Sequence, residues 1–179
     1  DEQEYWKAHQ SSVTTSSTSP FTNIRVLPYD MLDAGKSLRV ALKSTTEGSS
    51  RCIYHVASVF GPTDDHKQTA LDNVQGTEDL VNTLAGIKNC KLVLTSSMAA
   101  VRGPGQNPIN DSYYTEKDWN TDSVLGANWG ASYQWSKAES ERRAWELCKQ
   151  HNIPMVSICP SFVFGPPSTY AVDGLGSIG

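Results

Sequence analysis

Short apolar segments alternate with longer stretches of helical character along most of this sequence. Apolar runs of strand length occur near residues 23–27, 52–56, 91–95 and 154–159, and helical patterns separate them at about 34–43, 64–87 and 131–150. The runs are apolar along most of their length, which is typical of strands that are buried on both faces of a parallel sheet. The order therefore predicts an α/β fold, with a parallel sheet and helices packed on its faces.

Small or polar residues follow each predicted strand directly. In open parallel sheets, ligands bind beyond the carboxyl ends of the strands. We therefore expect these residues to converge on one edge of the sheet and to form a ligand site there. They are Asp30, Ala57, Ser58, Ser96, Ser97, Pro160 and Ser161.

Tyr133 and Lys137 stand four residues apart in the third helical stretch, so both side chains share one face of the helix. A nearby ammonium favours the phenolate and is expected to lower the pKa of the tyrosine, which gives a proton donor for carbonyl and alcohol chemistry. The same spacing recurs at Tyr113 and Lys117, but the polar run around that pair predicts a loop. Ser97 is expected at the same edge, where its hydroxyl could bind the same substrate oxygen as Tyr133.

Composition limits the possible partners. The chain has 179 residues, 38% of them hydrophobic, and a formal net charge of −4. This mild acidity, without clusters of Lys or Arg, argues against nucleic-acid or anionic-membrane surfaces, and no apolar run approaches membrane-spanning length. The four cysteines are scattered and form no CxxC pair, which favours buried free thiols over a disulfide framework or a metal site. These features predict a cytoplasmic protein that binds no metal.

Six short segments occur in a characteristic order. They are YHVAS at 54–58, NVQGT at 73–77, KLVLTSSMAAV at 91–101, TEKDWN at 115–120, YQWSK at 133–137 with the AESERRAWE that follows, and PSFVFGP at 160–166. Together they resemble the extended short-chain dehydrogenase/reductases, and among these the dihydroflavonol reductase-like branch, which also contains cinnamoyl-CoA reductases and fungal aldehyde and ketone reductases. The resemblance covers roughly residues 24–167 and implies a Rossmann-type doubly wound parallel sheet.

The resemblance also implies roles for individual residues. It makes Ser97, Tyr133 and Lys137 the catalytic residues, and Asn73 the residue that helps hold a water in the proton relay. It implies a nicotinamide cofactor, NADP (as NADPH) rather than NAD. His55, a lone histidine within an apolar strand, is expected to be structural. The implied cofactor-binding residues are Asp30 and Met31 at the adenine, Val56, Ala57 and Ser58 along the adenosine and pyrophosphate, and Ser96, Tyr133, Lys137, Pro160 and Val163 towards the nicotinamide.

The sequence departs from the family pattern at both ends. The segment 23–27 is not followed by the glycine-rich turn that lets a pyrophosphate approach a helix N-terminus. We therefore expect the N-terminal strand, this turn and the C-terminal substrate domain to be missing. The expected organisation is a helix remnant and polar linker at 1–22, a partial NAD(P)-binding domain at 23–167, and the start of a truncated substrate region at 168–179. The segment ASYQWSK also lacks the asparagine–tryptophan–tyrosine–cysteine signature of cinnamoyl-CoA reductases.

These observations favour an NAD(P)H-dependent oxidoreductase that reduces an aldehyde, a ketone or a flavonoid-like ketone. Tyr133 would donate the proton, Lys137 would lower its pKa, and Ser97 would orient the substrate oxygen. A sugar-nucleotide epimerase or a hydroxysteroid dehydrogenase could use the same three residues, and a non-catalytic interaction protein is a further alternative. The expected partner is a small-molecule carbonyl substrate, with no nucleic acid and no membrane; the sequence does not predict an oligomeric state.

Overall fold

The computed structural model describes residues 27–43, 49–110 and 112–164. Helices and strands alternate through this part of the chain, as the sequence predicts. The strand predicted at 23–27 lies outside the described residues except for Leu27, and so do residues 1–22 and 168–179. The elements in chain order are α1 (Lys36–Lys43), β1 (Arg51–His55), α2 (His66–Leu84), β2 (Cys90–Thr95), α3 (Met98–Val101), α4 (Trp129–His151) and β3 (Met155–Ile158).

The three described strands form one parallel sheet in the order β1-β2-β3. Ile53 of β1 lies opposite Leu92 of β2, and Leu92 in turn lies opposite Met155 of β3. Because all three strands run in the same direction, their carboxyl ends lie at a common edge. The predicted α/β fold with a Rossmann-type parallel sheet is thus confirmed.

The core lies between this sheet and helices α2 and α4. Leu92 of β2 is 1% exposed, and Val81 and Leu84 of α2 and Ala144 of α4 are completely buried. Burying a side chain such as Leu84 contributes about 1.5–3 kcal/mol. The other face of the sheet remains open within the described residues, because alternate strand residues such as Tyr54 and Val156 are exposed.

Polar caps fix the ends of the long helices. Asp65 caps α2 by accepting a hydrogen bond from the backbone N–H of Gln68 at 2.8 Å, and Asn128 caps α4 by accepting one from Ala131 at 2.9 Å. Asn152 ends α4 in the left-handed conformation with φ of 55°. These local signals are the reason why the predicted helices appear close to their expected boundaries.

Two glycines allow the segment that enters α1 to lie on α2. Gly35 has a φ of +74°, and a Cβ at this position would lie 2.0 Å from Oγ1 of Thr83. A Cβ at Gly76 would lie 3.2 Å from the side chain of Met31. Larger residues at these two sites would separate the segment from α2, so the glycines fix the position of residues 30–35.

The segment 99–130 is less irregular than predicted, because it begins within the short helix α3. Ser97 caps this helix by accepting a hydrogen bond from the N–H of Ala99 at 3.1 Å. Four helical residues are too few for a periodic apolar pattern, which explains why the sequence did not reveal them.

All four cysteines are free, as expected, but they are not uniformly buried. Cys90 and Cys148 are buried, Cys159 is intermediate and Cys52 is exposed. Cys52 lies on the open face of β1, where no described helix covers it. The expectation of buried thiols is therefore wrong for this residue.

Candidate active site

Lys137 reaches the carboxyl edge of the sheet from α4. Its side chain is buried, and its Nζ donates a hydrogen bond to the backbone carbonyl of Thr95, the last residue of β2, at 3.0 Å. Ser132 and Ser136 on the same helix are completely buried. Small residues at these positions let α4 lie close to its neighbours, which places the lysine at the strand end.

Ser97 lies at the same edge, two residues after β2 ends. Its backbone is extended, with φ of −162° and ψ of 155°, and α3 follows it. The exits of β2 and β3 are bonded to each other, since the N–H of Met98 donates to the carbonyl of Pro160 at 2.9 Å. The Ser97 hydroxyl lies beside the hydroxyl of Tyr133. The three residues predicted to be catalytic are therefore grouped at one edge of the sheet.

Burial has the largest effect on the pKa values of Tyr133 and Lys137. It raises the pKa of Tyr133, and the neighbouring Ser97 hydroxyl only partly opposes this rise. This direction is opposite to the predicted lowering of the tyrosine pKa by Lys137. Burial disfavours the phenolate, and the Lys137 ammonium is bonded to a carbonyl instead. Burial also lowers the pKa of Lys137, while Glu141 and then Cys159 act in the opposite direction.

His55 ends β1 beside the lysine. Its ring is 6% exposed and lines a small cavity together with Lys137 and Asn73. Burial lowers the pKa of His55 to about 4, and the nearby positive charge of Lys137 adds to this effect. The imidazole is therefore neutral at physiological pH, in keeping with the structural role expected from the sequence.

Asn73 holds the segment that follows β1. Its Oδ1 accepts a hydrogen bond from the N–H of Val59 at 2.8 Å, and its Nδ2 donates to the carbonyl of Val59 at 3.0 Å. Its own backbone carbonyl accepts a hydrogen bond from the Thr77 hydroxyl at 3.0 Å. Its role in a proton relay stays a prediction, whereas its contact with the loop is part of the structure.

The residues predicted to bind a cofactor fall into two places. Asp30 and Met31 lie in the segment that packs on α2. Asp30 is exposed, and Met31 contacts α2 at Gly76. The others follow the strands at the carboxyl edge: Val56, Ala57 and Ser58 after β1, Ser96 after β2, and Pro160 and the largely exposed Val163 after β3.

Unused hydrogen-bonding groups at this edge fit the nicotinamide end of a cofactor. The Ser96 hydroxyl is buried near the Cys159 thiol, yet within the described residues it makes no hydrogen bond of good geometry. Lys137 uses one of its three donors on Thr95, which leaves two for ribose hydroxyls. The spacing G-x-G-x-x-G occurs once in the sequence, at 174–179, after the last strand and outside the described residues. The described part therefore offers hydrogen-bonding groups that suit a nicotinamide ribose, and it contains no glycine-rich turn of the phosphate-binding type.

Aromatic side chains flank the tyrosine, and the sequence analysis did not identify them. Phe60 meets Tyr133 edge to face with ring centroids 4.7 Å apart, and it contacts Trp129 in the same way at 5.8 Å. Phe60 is 60% exposed, so Phe60 and Trp129 together form an apolar wall, the aromatic wall, that is open to ligands. No periodic pattern marks Phe60, because it lies in a loop and reaches Tyr133 only in the folded chain.

The TEKDWN segment braces the part of the chain that carries Ser97. The N–H of Asn120 donates to the carbonyl of Ala100 at 2.8 Å, and its Nδ2 donates to the carbonyl of Ala99 at 2.7 Å. Asp118 accepts backbone hydrogen bonds from Ile109 and Thr115, which lower the pKa of its carboxyl group. The motif therefore ties a long loop to α3, immediately after Ser97.

The second tyrosine–lysine pair lies in a loop, as predicted. Tyr113 is 67% exposed, and Lys117 is also exposed.

In the described ranges, no three His, Cys, Asp or Glu residues are arranged to hold a metal ion. None of the helices that the structure describes has the length and apolar character needed to cross a membrane.

The parallel sheet, the small residues at its carboxyl edge and the buried lysine one turn beyond a tyrosine define a Rossmann-type domain of the extended short-chain dehydrogenase/reductase class. The chain belongs to the NAD-binding family described as male sterility protein, which matches residues 5–177. The predicted class is thus confirmed.

Individual relatives agree with this assignment. The chain is 35% identical over 117 residues to a cinnamoyl-CoA reductase of Medicago truncatula, covering 64% of this chain and 36% of that protein. It is 31% identical over 131 residues to cinnamoyl-CoA reductase 1 of Arabidopsis thaliana, covering 71% and 36%. Among solved structures, Gre2 of Candida albicans in complex with NADPH matches with a TM-score of 0.68 and 29% identity, covering 81% of this chain and 45% of that one. The chain thus spans less than half the length of these relatives.

Proposed function

We propose that the complete protein is an NAD(P)H-dependent oxidoreductase that reduces the carbonyl group of an aldehyde or ketone to an alcohol. The observation that carries this proposal is the grouping of Ser97, Tyr133 and Lys137 at the carboxyl edge of the sheet. Family membership supports it, as do the reductases among the relatives.

Ser97, Tyr133 and Lys137 can each perform one part of the reaction. The hydroxyls of Ser97 and Tyr133 bind the carbonyl oxygen, and Tyr133 donates its proton to this oxygen as the alcohol forms. Its raised pKa keeps the phenol protonated at neutral pH, as a donor must be. The Lys137 ammonium, in a site with little water, stabilises the phenolate that remains after the transfer.

The exit segments of β2 and β3 would hold the nicotinamide side of the cofactor through Ser96 and Pro160, and Lys137 would bind the ribose. When bound, the reduced cofactor supplies the hydride that adds to the carbonyl carbon. The NADPH complex of the Candida albicans relative favours NADPH over NADH. We further propose that the protein acts in the cytoplasm on a small molecule, without nucleic acid or membrane as partners.

The aromatic wall favours substrates with an apolar group next to the carbonyl. Phe60 contacts the ring of Tyr133, and Trp129 contacts Phe60, so both rings offer apolar surface beside the place where such a group would lie. Two relatives are named as cinnamoyl-CoA reductases, but ASYQWSK lacks their signature around the tyrosine. An aromatic or branched aldehyde or ketone is therefore the proposed substrate class.

The test is the Tyr133→Phe variant of the complete protein, assayed for NADPH oxidation with a panel of aldehydes and ketones. Loss of a general acid is expected to lower kcat by about 10²–10⁴-fold and to change NADPH affinity far less, because Tyr133 is only one of several residues expected at the cofactor. Tyr113→Phe is the matched control, because it removes the same hydroxyl from the exposed loop and is expected to leave turnover unchanged. Full activity in Tyr133→Phe, or no binding of NADPH or NADH by the complete protein, would contradict the proposal. Net cofactor oxidation also separates a reductase from an epimerase, which regenerates its cofactor.

A further inference from the structure

Glu141 is a buried carboxylate one turn beyond Lys137 on α4, and the proposed reaction does not use it. Its exposed fraction is 7%. Its Oε1 accepts a hydrogen bond from Nε1 of Trp145 at 3.2 Å, and its Oε2 accepts one from Sγ of Cys159 at 3.6 Å. Both partners are donors, so the contacts satisfy the ionised carboxylate. A buried negative charge of this kind requires a compensating positive charge.

Lys137 is a buried positive charge and in turn requires a negative charge nearby. Its side chain is 8% exposed, and its only hydrogen-bond acceptor in the described part of the chain is the neutral Thr95 carbonyl, at 3.0 Å. No described carboxylate lies within 4.0 Å of its Nζ. However, Lys137 and Glu141 line the same small cavity, and their spacing of four residues places them on one face of α4.

The other groups around this cavity do not supply the charge. β1 contributes His55, which burial keeps neutral by lowering its pKa to about 4. Tyr133, one turn before Lys137 on α4, and Cys159, whose Sγ donates to Glu141, do not line the cavity. Burial raises the pKa of both groups, so that both remain protonated and neutral. α2 contributes only residues without a charge, Asn73 and Thr77, and the exit of β2 contributes Thr95 and Ser96. Among the described residues that line this cavity, Glu141 is therefore the only carboxylate.

We infer that Glu141 is a positioning residue whose carboxylate is the counter-charge that keeps Lys137 protonated in its buried cavity. Burial lowers the pKa of Lys137, and the negative charge of Glu141 is the main influence in the opposite direction. The catalytic importance of this pair rests on the proposed reductase function, whereas the pairing of charges does not.

The direct test is the titration of Lys137 in the complete protein. Cyanate carbamylates only the neutral amine, so the rate at the Lys137 peptide, followed by mass spectrometry against pH, reports its protonation. In Glu141→Gln the titration is expected to move to lower pH, with Lys137 reacting about tenfold faster at a pH below its midpoint. Glu141→Asp retains the charge and is expected to stay close to wild type. An unchanged titration in Glu141→Gln would overturn the inference.

The matched control is Glu139→Gln. This carboxylate lies on the same helix, but its side chain is 28% exposed and paired with Arg142 at 2.6 Å. The same chemical change at this position is expected to leave the Lys137 titration where it is. A shift of equal size in both variants would mean that the general charge of α4 acts on the lysine, and it would also overturn the inference.

A double-mutant cycle keeps the inference testable if Glu141→Gln folds poorly. Lys137→Met leaves the buried carboxylate unpaired, and Glu141→Gln leaves the buried ammonium unpaired. If the two charges compensate each other, the double variant loses much less resistance to urea than the single losses added together. Additive losses, or a double variant that does not fold, would overturn the inference.

These measurements do not require turnover, so they can succeed even if Tyr133→Phe shows that the reductase proposal is wrong. If the enzyme is a reductase, the alkaline limb of its kcat profile is expected to move to lower pH in Glu141→Gln, because Lys137 loses its proton earlier. KM is expected to change little, since Glu141 does not touch the substrate. A role in folding alone would lower the amount of active enzyme at every pH and would leave the position of the limb unchanged.

Discussion

Acidification offers a quantitative test of how His55 is buried. The ring has a pKa of about 4 in the folded protein, compared with an ordinary value of 6.5. Between these two values the unfolded chain binds a proton at His55 and the folded chain does not, so acid favours unfolding. At 1.36 kcal/mol per pKa unit, the difference makes the folded state about 3 kcal/mol less stable at pH 4 than at pH 7. The loss begins near pH 6.5 and is nearly complete at pH 4.

The assay is urea unfolding at pH 7 and pH 4, for the wild type and for His55→Gln. Carboxyl groups also titrate in this range, so the informative quantity is the change with pH compared between the two proteins. The variant is expected to lose about 3 kcal/mol less than the wild type over this range. His66→Gln is the control, because His66 is only half-buried at the start of α2. An equal acid-induced loss in His55→Gln and the wild type would refute the reasoning.

Two further predictions concern the loop brace and the core. Asn120→Ala removes the hydrogen bond from its side chain to the carbonyl of Ala99, in the segment after Ser97. It also removes the bonds of the same side chain to the Ser123 hydroxyl and to the N–H groups of Asp122 and Ser123. It is expected to lower kcat about tenfold and, because the side chain is buried, to lower the unfolding free energy by about 1–3 kcal/mol. Asn110→Ala, in the exposed part of the same loop, is expected to leave kcat unchanged. Leu84→Ala opens a cavity in the completely buried core and is expected to cost about 2–5 kcal/mol in urea unfolding. Leu71→Ala, on the exposed side of α2, is expected to cost less than about 1 kcal/mol.

The features that the sequence predicts well depend on neighbours along the chain. The apolar run at β2 and the capped periodicity of α4 are local signals, so both elements lie within two residues of their expected ends. The positions of Ser97 and Lys137 follow from these elements and from the parallel order of the strands. The location of this edge can be predicted without knowledge of any side-chain contact, because the parallel topology alone brings the strand ends together.

The features that the sequence does not predict depend on distant contacts and on burial. Phe60 contacts Tyr133 from a loop more than 70 residues away in the chain, and nothing around it indicates this contact. The direction of the tyrosine pKa depends on how much water reaches the ring, which spacing does not specify. The position of Glu141, in contrast, follows from the sequence, because a charged residue four positions after Lys137 lies on the same face of the helix.

Asn73 shows why the role of one residue at this edge is difficult to isolate. Its amide bonds both backbone groups of Val59 and so fixes the loop that carries Phe60 against Tyr133. Each amide atom has one further hydrogen-bonding position, so the loop contact and the predicted water contact are compatible. A change at Asn73 would therefore move the aromatic wall and remove the predicted water contact at the same time. Glu141 contacts Trp145 and Cys159 rather than the loop or the tyrosine in the described part of the chain, so its substitution is expected to change the charge around Lys137 without removing a contact of Ser97 or Tyr133.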